Sequence, residues 1–438
     1  MKVFPARVMK WRYFAFACVI FALLAGFGCA KKQEAAPSPA APKEIVIGFN
    51  GPLSGPAAYY GVDCVSGIDM AISEINEAGG VTIKGQKYVF KLEKADHKAD
   101  PTQAVNNARR LREQFGARFI FDPVWNCISP QLGINQEKGN EFLMMAYTST
   151  PASDQTGNRL VISIPPPFTT YIPGMAELAK KEGWQKIAML VTAGAYGDEW
   201  REAFKHYWES QGGTITADQP ANYYVQTDFS APLTAVLATK PDALLIGGPS
   251  APTGLVIEQA RSLGFKGGFI LVDQAKMDYI VDVVFKGDFK NMENVMGVPA
   301  VAGVPLPMAK SFDQKFTQKY NIHNTWEAIH NYCAMFALAR AIEAAGTAED
   351  VYAVREAFPK AYPLSGDKFP QQYYGVNERG RILSSAGIQV IKGGKYEKRK
   401  DNVWWAKTKE DFDKVVQASN LADKNETLFW APLKDYAQ

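Results

Sequence analysis

The chain has 438 residues, 47% hydrophobic and 21% charged, with a formal net charge of +3. Four of its 48 Lys and Arg fall in the first twelve residues, where there is no acid, so the rest carries 44 cations against 45 acids. That balance excludes the clustered cationic face that nucleic acid demands, and five cysteines with no CxxC or paired Cys/His spacing exclude a disulfide scaffold and a metal site.

The N-terminal cations Lys2, Arg7, Lys10 and Arg12 precede the apolar run Tyr13 to Leu24 and the stretch Ala25-Gly26-Phe27-Gly28. This order reads as a secretory signal peptide over residues 1–28, its apolar run falling short of the ~20 residues that span a bilayer. Cys29, followed by Ala30-Lys31-Lys32, resembles the lipidated cysteine of the bacterial lipobox, although Gly26 stands where that motif carries leucine. Lipid on Cys29 would anchor the protein to a membrane, in the periplasm or on the outer cell surface. Residues 31–43, KKQEAAPSPAAPK, are too poor in apolar groups to fold, which makes residues 29–42 a tether. The remainder of the chain is too long for one core and is expected to form two.

A strand is expected over residues 43–50, KEIVIGFN. The turn Gly51-Pro52-Leu53-Ser54-Gly55 leads to a helix over 61–78, with Val65, Ile68, Ile72 and Ile75 on one face and Gly79-Gly80 as its stop. The alternation continues with a strand over 88–93, a helix over 101–115, a strand over 119–121, a helix over 130–138 and a strand over 142–146. After Pro165-Pro166-Pro167 a second series runs helix 171–182, strand 186–190, helices 198–211 and 230–239, strand 243–246, helix 253–263 and strand 269–272. A further break over 298–305 precedes long helices over 307–320 and 325–345, and a hairpin over 387–397 closes the pattern. Strands and helices alternating at this spacing imply an α/β fold with parallel sheets covered on both faces.

The segment Gly51-Pro52-Leu53-Ser54-Gly55-Pro56-Ala57-Ala58-Tyr59-Tyr60-Gly61, with Ile75-Asn76-Glu77-Ala78-Gly79-Gly80 ending its helix, resembles the leucine/isoleucine/valine-binding protein family of periplasmic receptors. Asp100-Pro101-Thr102-Gln103-Ala104-Val105, Tyr196-Gly197 and Gln259-Ala260-Arg261-Ser262-Leu263-Gly264 agree with that family in order and spacing. The resemblance implies the type I periplasmic binding protein fold, two doubly wound parallel-sheet lobes joined by a three-crossing hinge. Lobe 1 would be residues 43–164 plus 301–373, lobe 2 residues 165–300 plus 374–438, and the crossings would lie near 162–166, 298–303 and 372–376. It also implies the solute receptor of an ABC importer: a monomer that binds a small amino-acid-like ligand, meets the importer's permease and uses no cofactor.

Ligands in such sheets sit at the carboxyl ends of the strands. The loop Asn126-Cys127-Ile128-Ser129-Pro130 falls there, with Ser129 suited to cap the next helix and Pro130 to open it. Free N–H groups at a helix start favour an anion, and the resemblance implies an α-carboxylate held by this loop, at or beside Asn126 and Cys127. Tyr147 and Ser149 match the family segment that receives the ligand's ammonium, although Tyr147-Thr148-Ser149-Thr150-Pro151 also reads as an ordinary turn. Asp273 matches the acid that pairs with that ammonium, a desolvated cation needing charge-assisted hydrogen bonds. Tyr60, Trp125 and Tyr196 are expected to line the cleft. A second-lobe tyrosine of the family is absent, its place falling near Pro249 or Ser250, which keeps other amino acids, amides, urea and aromatic acids open as ligands. His97, His206, His323 and His330 are scattered and accompany no GxSxG elbow, P-loop or GxGxxG, which speaks against an enzyme. A chemosensory module on the same fold is the other alternative.

Replacing Cys29 by alanine is expected to release the protein in soluble form while the wild type partitions with membranes; equal partitioning of the two in a fractionation experiment would remove the lipid anchor.

Overall fold

Unbroken apolar runs mark strands buried on both faces, and such runs build the centres of two sheets in the computed structural model. It describes residues 42–431; the leader, Cys29 and most of the tether lie outside them. The first sheet holds β1 (Lys43–Gly51), β2 (Val81–Ile83), β3 (Gln86–Asp96), β4 (Phe119–Asp122), β5 (Leu143–Ala146) and β6 (Val161–Ser163) in the order β2-β3-β1-β4-β5-β6. Within this sheet only β2 runs antiparallel to its neighbour. Every residue of β4, FIFD, and β5, LMMA, is buried.

The second sheet begins with β7 (Lys186–Val191), β8 (Thr214–Asp218), β9 (Ala243–Gly247), β10 (Gly268–Leu271) and β11 (Val295–Gly297), all parallel. A two-stranded hairpin, β12 (Gly375–Val376) and β13 (Ile382–Leu383), comes next in the chain. Then β14 (Ala386–Lys392) joins β11 in antiparallel register, and β15 (Lys395–Tyr396), β16 (Lys400–Asn402) and β17 (Leu428–Phe429) complete the sheet. Its path is β17-β16-β14-β11-β10-β9-β7-β8, with β15 on β14.

Local chemistry sets several helix ends. Asp100 caps the helix Pro101–Phe115 by accepting the Gln103 N–H at 2.7 Å, Pro101 opens it, and Gly116 ends it in the left-handed region at φ 72°. The loop at 126–130 behaves differently from expectation. Its helix spans Trp125–Leu132, so Ser129 caps nothing and Pro130 lies inside. The Val124 carbonyl accepts the N–H of both Cys127 and Ile128 at 2.8 Å, which starts the helix without a side-chain cap. Pro130, with no N–H to give the Asn126 carbonyl four residues back, sits two residues before the end.

The chain passes between the sheets after β6, after β11 and before β14. The third passage comes later than residues 372–376, because the β12–β13 hairpin stays beside β6, where the Ser163 N–H donates to the Gly380 carbonyl at 2.9 Å. The last stretch also departs from a simple second lobe: Gln372 Nε2 donates to the Ala418 carbonyl and the Asn420 N–H to Gln372 Oε1, each at 2.8 Å.

The hairpin carries Arg381, whose side chain is wholly buried. Its guanidinium donates to the carbonyls of Thr148 (2.8 Å), Thr150 (2.7 Å) and Pro165 (2.9 Å), to Ser153 Oγ (2.8 Å) and to Asp154 Oδ1 (2.9 Å). A planar fork of fixed donors can hold the loop after β5 and the first passage at once, which a lysine cannot. Arg381→Met removes one side of a buried ion pair together with the hydrogen bonds that gather these carbonyls and is expected to cost roughly 3–5 kcal/mol. Denaturant unfolding measures this; a loss under about 1 kcal/mol, the level of a surface pair, would contradict the role given to Arg381.

Candidate functional site

The carboxyl ends of the two sets of strands face each other across a cleft. One space of about 440 Å³ lies between Tyr60, Trp125, Asn126 and Ser149 from the first sheet's side and Tyr196, Tyr224, Asp273 and Gln274 from the second. A second space of about 460 Å³ abuts it, sharing Tyr147, Pro165, Asp273 and Lys276 as walls.

Of the eight residues expected from sequence at the ligand site, all but Cys127 line these spaces. Cys127 points into the first-lobe core, its Sγ 3.8 Å from His97 Nδ1, and burial pushes its thiol pKa up. The helix explains this: one residue on from Asn126 is a rotation of about 100°, which turns the next side chain off the cleft. Ser129 is exposed. Cys64, Cys127 and Cys333 are all free thiols.

Asn126 stands in the first turn of its helix, with its Oδ1 buried and unpartnered. Gly194, at φ 102°, lets the second lobe come this close, since a Cβ there would lie 2.2 Å from Asn126 Nδ2. Ser149 is buried in the loop that Arg381 holds, and its carbonyl accepts the Phe168 N–H at 2.8 Å. Tyr60 donates to the Pro123 carbonyl at 3.1 Å, and its ring sits 6.2 Å from that of Tyr147.

Asp273 is the negative centre of the opposite wall. Its Oδ1 accepts from Tyr196 Oη at 2.6 Å and from Trp200 Nε1 at 2.9 Å. Burial, reinforced by that carboxylate, holds the Tyr196 phenol well above its ordinary pKa. Lys276 donates its ammonium to the Asp273 carbonyl at 2.6 Å and pairs with Glu327 at 2.8 Å, both side chains almost wholly buried. Glu327 belongs to the helix Trp326–Ala345, which packs on the helix Ala58–Glu77 of the first sheet, so this ion pair crosses the cleft. His330, on the same helix, is kept neutral: burial and then the Lys276 charge press its pKa down to about 3, and it shares a 2.5 Å hydrogen bond with Tyr373.

Sequence reasoning missed Gln274, Lys276, Glu327 and Glu199. Only Lys276, three residues after Asp273, carried a local signal. The place of the absent second-lobe tyrosine is approached from the first lobe: Tyr59 Oη accepts the Ala251 N–H at 2.8 Å, and its ring stacks on Tyr279 at 4.6 Å.

The model of the periplasmic binding protein family matches residues 44–394. The chain belongs to that family. The periplasmic binding proteins it matches include the Leu/Ile/Val-binding protein BraC3 of Rhizobium johnstonii, 30% identical over 73% of this chain and 84% of the relative. The leucine-, isoleucine-, valine-, threonine- and alanine-binding protein of Pseudomonas aeruginosa is 25% identical over 83% of this chain and 92% of its own length. Among solved structures, a leucine-binding protein of Thermotoga maritima superposes with a TM-score of 0.68 at 23% identity, covering 81% of this chain and 97% of that one. The branched-chain amino acid binding protein LivJ of Streptococcus pneumoniae, in complex with isoleucine, also reaches 0.68, at 21% identity over 82% and 99% of the two chains. These structures share the type I fold with this chain.

The lobes touch through Trp125 Nε1, which donates to Glu199 Oε1 at 3.2 Å. Burial pushes the Glu199 carboxyl from its ordinary 4.5 up to about 7, Trp125 pulling it part of the way back and Glu202 and Asp198 adding to the rise. A raised acid is stabilised in its protonated form, so burying Glu199 in the shut cleft costs nothing through ionisation at low pH and costs progressively more as pH rises from 4.5 to 7, the Trp125 hydrogen bond offsetting only part of it. Ligand affinity is therefore expected to fall severalfold between pH 5.5 and 8, and Glu199→Gln to flatten that slope in calorimetric titrations. An unchanged slope in the variant would clear Glu199 of the effect.

Proposed function

We propose that this protein is the solute receptor of an ABC importer, binding a small amino-acid-like molecule between two lobes and presenting it to the permease. The observation that carries the reading is one cleft with Asn126 and the start of the helix Trp125–Leu132 on one wall and buried Asp273 on the other. The α-carboxylate is taken by Asn126 and the free N–H groups that open the helix Trp125–Leu132, aided by the helix dipole. The ammonium lies between Ser149 with the Tyr147 carbonyl and Asp273, whose Oδ1 already serves Tyr196 and Trp200 and whose Oδ2 is left to receive it. Tyr60, Trp125 and Tyr196 supply contact area around it.

The names of the relatives favour branched-chain amino acids as the first ligands to try. The site holds its ligand by closing, and binding favours the closed state that the permease reads. The receptor performs no turnover in this reading. It works outside the cytoplasmic membrane, exported by the leader and anchored by lipid on Cys29.

Calorimetric titration with leucine, isoleucine and valine tests the assignment. Asp273→Ala removes one partner of a buried charge pair, a loss of roughly 3–5 kcal/mol, and should take binding below detection. A variant that binds these amino acids within about threefold of the wild type, a difference well below 1.4 kcal/mol, would withdraw the ammonium from Asp273.

A further inference from the structure

The second space has chemistry that the amino-acid head does not use. Beyond Tyr147 and Lys276 its wall carries Arg399, which is only 6% exposed. Among the described residues its guanidinium pairs with Asp401, at 3.2 Å, and its Nε is buried and unpartnered. Asp401 in turn holds Ser385 Oγ at 3.3 Å on Oδ2, leaving its Oδ1 unpartnered. A guanidinium offers five donors, and burying them without acceptors is costly. The backbone makes room here: a Cβ at Gly387 would lie 2.8 Å from Asp401 Oδ1 and 2.7 Å from Pro299 Cγ.

We propose that this chamber is a second subsite of the same cleft, in which Arg399 receives an acceptor oxygen, a carboxylate or an amide carbonyl, at the far end of the ligand. The inference rests on the amino-acid reading of the first space. The two spaces share the walls Tyr147, Pro165, Asp273 and Lys276, which sets the chamber directly beside a head group held at Asp273. Leucine-like side chains bring no acceptor to Arg399, whereas amino acids ending in an amide, ureido or carboxylate group do. A site built around a buried donor rejects the analogue that lacks its partner.

The test compares leucine, glutamine, citrulline and glutamate by calorimetry on the purified full chain. At least one acceptor-bearing amino acid is expected to bind about tenfold or more tightly than leucine, as one hydrogen bond to a charged donor allows. The paired variant Arg399→Leu with Asp401→Leu replaces both charges with apolar groups, a change buried pairs tolerate, and a thermal melt checks that it folds. It should erase the advantage by weakening the acceptor-bearing ligands while leucine binds at least as tightly as before, because the donor that leucine leaves unpaired is gone. Arg399→Lys, which keeps the charge but not the fork, should retain part of the preference.

If leucine binds as tightly as every acceptor-bearing probe, or if the paired variant weakens all four ligands alike, the chamber is not a subsite, and the receptor reading stands. If no probe binds the wild type at all, the receptor reading and the subsite fall together. Glutamate favoured over glutamine and citrulline identifies a carboxylate at Arg399; the reverse order identifies a neutral carbonyl.

Discussion

A buried cation with several backbone carbonyls around it fixes geometry more firmly than any pair of side chains could, and Arg381 is in that position. It reaches from the β12–β13 hairpin to the loop after β5 and to Pro165 on the first passage. The loop it holds contains Tyr147 and Ser149, and the passage it holds is one of three on which the lobes turn. Site geometry and hinge geometry are therefore coupled through a single side chain. Asp154 neutralises it at 2.9 Å, which makes its complete burial tolerable in a medium of low polarity.

Charge in the cleft is arranged on the same principle, each buried ion having a partner from another element. Lys276 bridges Glu327 from the helix Trp326–Ala345 and the Asp273 carbonyl. Near this pair Asp63 is buried 3.2 Å from Thr325 Oγ1, and burial followed by the Glu327 charge raises its pKa well above the ordinary value. Burial pushes Asp63 toward its protonated form and His330 toward its neutral one, which limits the charge this interior carries.

The sequence was most informative where structure is decided locally. Asp100, Pro101 and Gly116 set one helix to the residue because cap, first position and left-handed end all lie within the segment. Strands such as LMMA and ALLIG were legible because burial on both faces leaves an unbroken apolar run. Ser129-Pro130 misled for the same local reason: the pair carries the signature of a helix start, but the Val124 carbonyl had already begun the helix five residues earlier. Arg381, Glu327 and Arg399 left little trace, since their meaning comes from partners far away in the chain, and nothing in a charged residue's neighbours says that it will be buried. The family resemblance brought Asp273, Tyr196 and Asn126 to one cleft; it could not show that Cys127, one residue further on, faces the core.

The contacts that cross the cleft, Trp125 with Glu199, Tyr59 with Ala251 and Lys276 with Glu327, are made by the protein alone. Each contributes a fixed share to the balance between open and shut before solute is present. Apparent affinity equals intrinsic affinity scaled by the shut fraction, so the concentration to which the receptor responds can be reset without altering any atom that touches the solute. A change of about 1.4 kcal/mol in one of these contacts moves that threshold tenfold. Selection for scarcity or abundance of the same nutrient can then act on the rim of the cleft, leaving discrimination between nutrients to its walls.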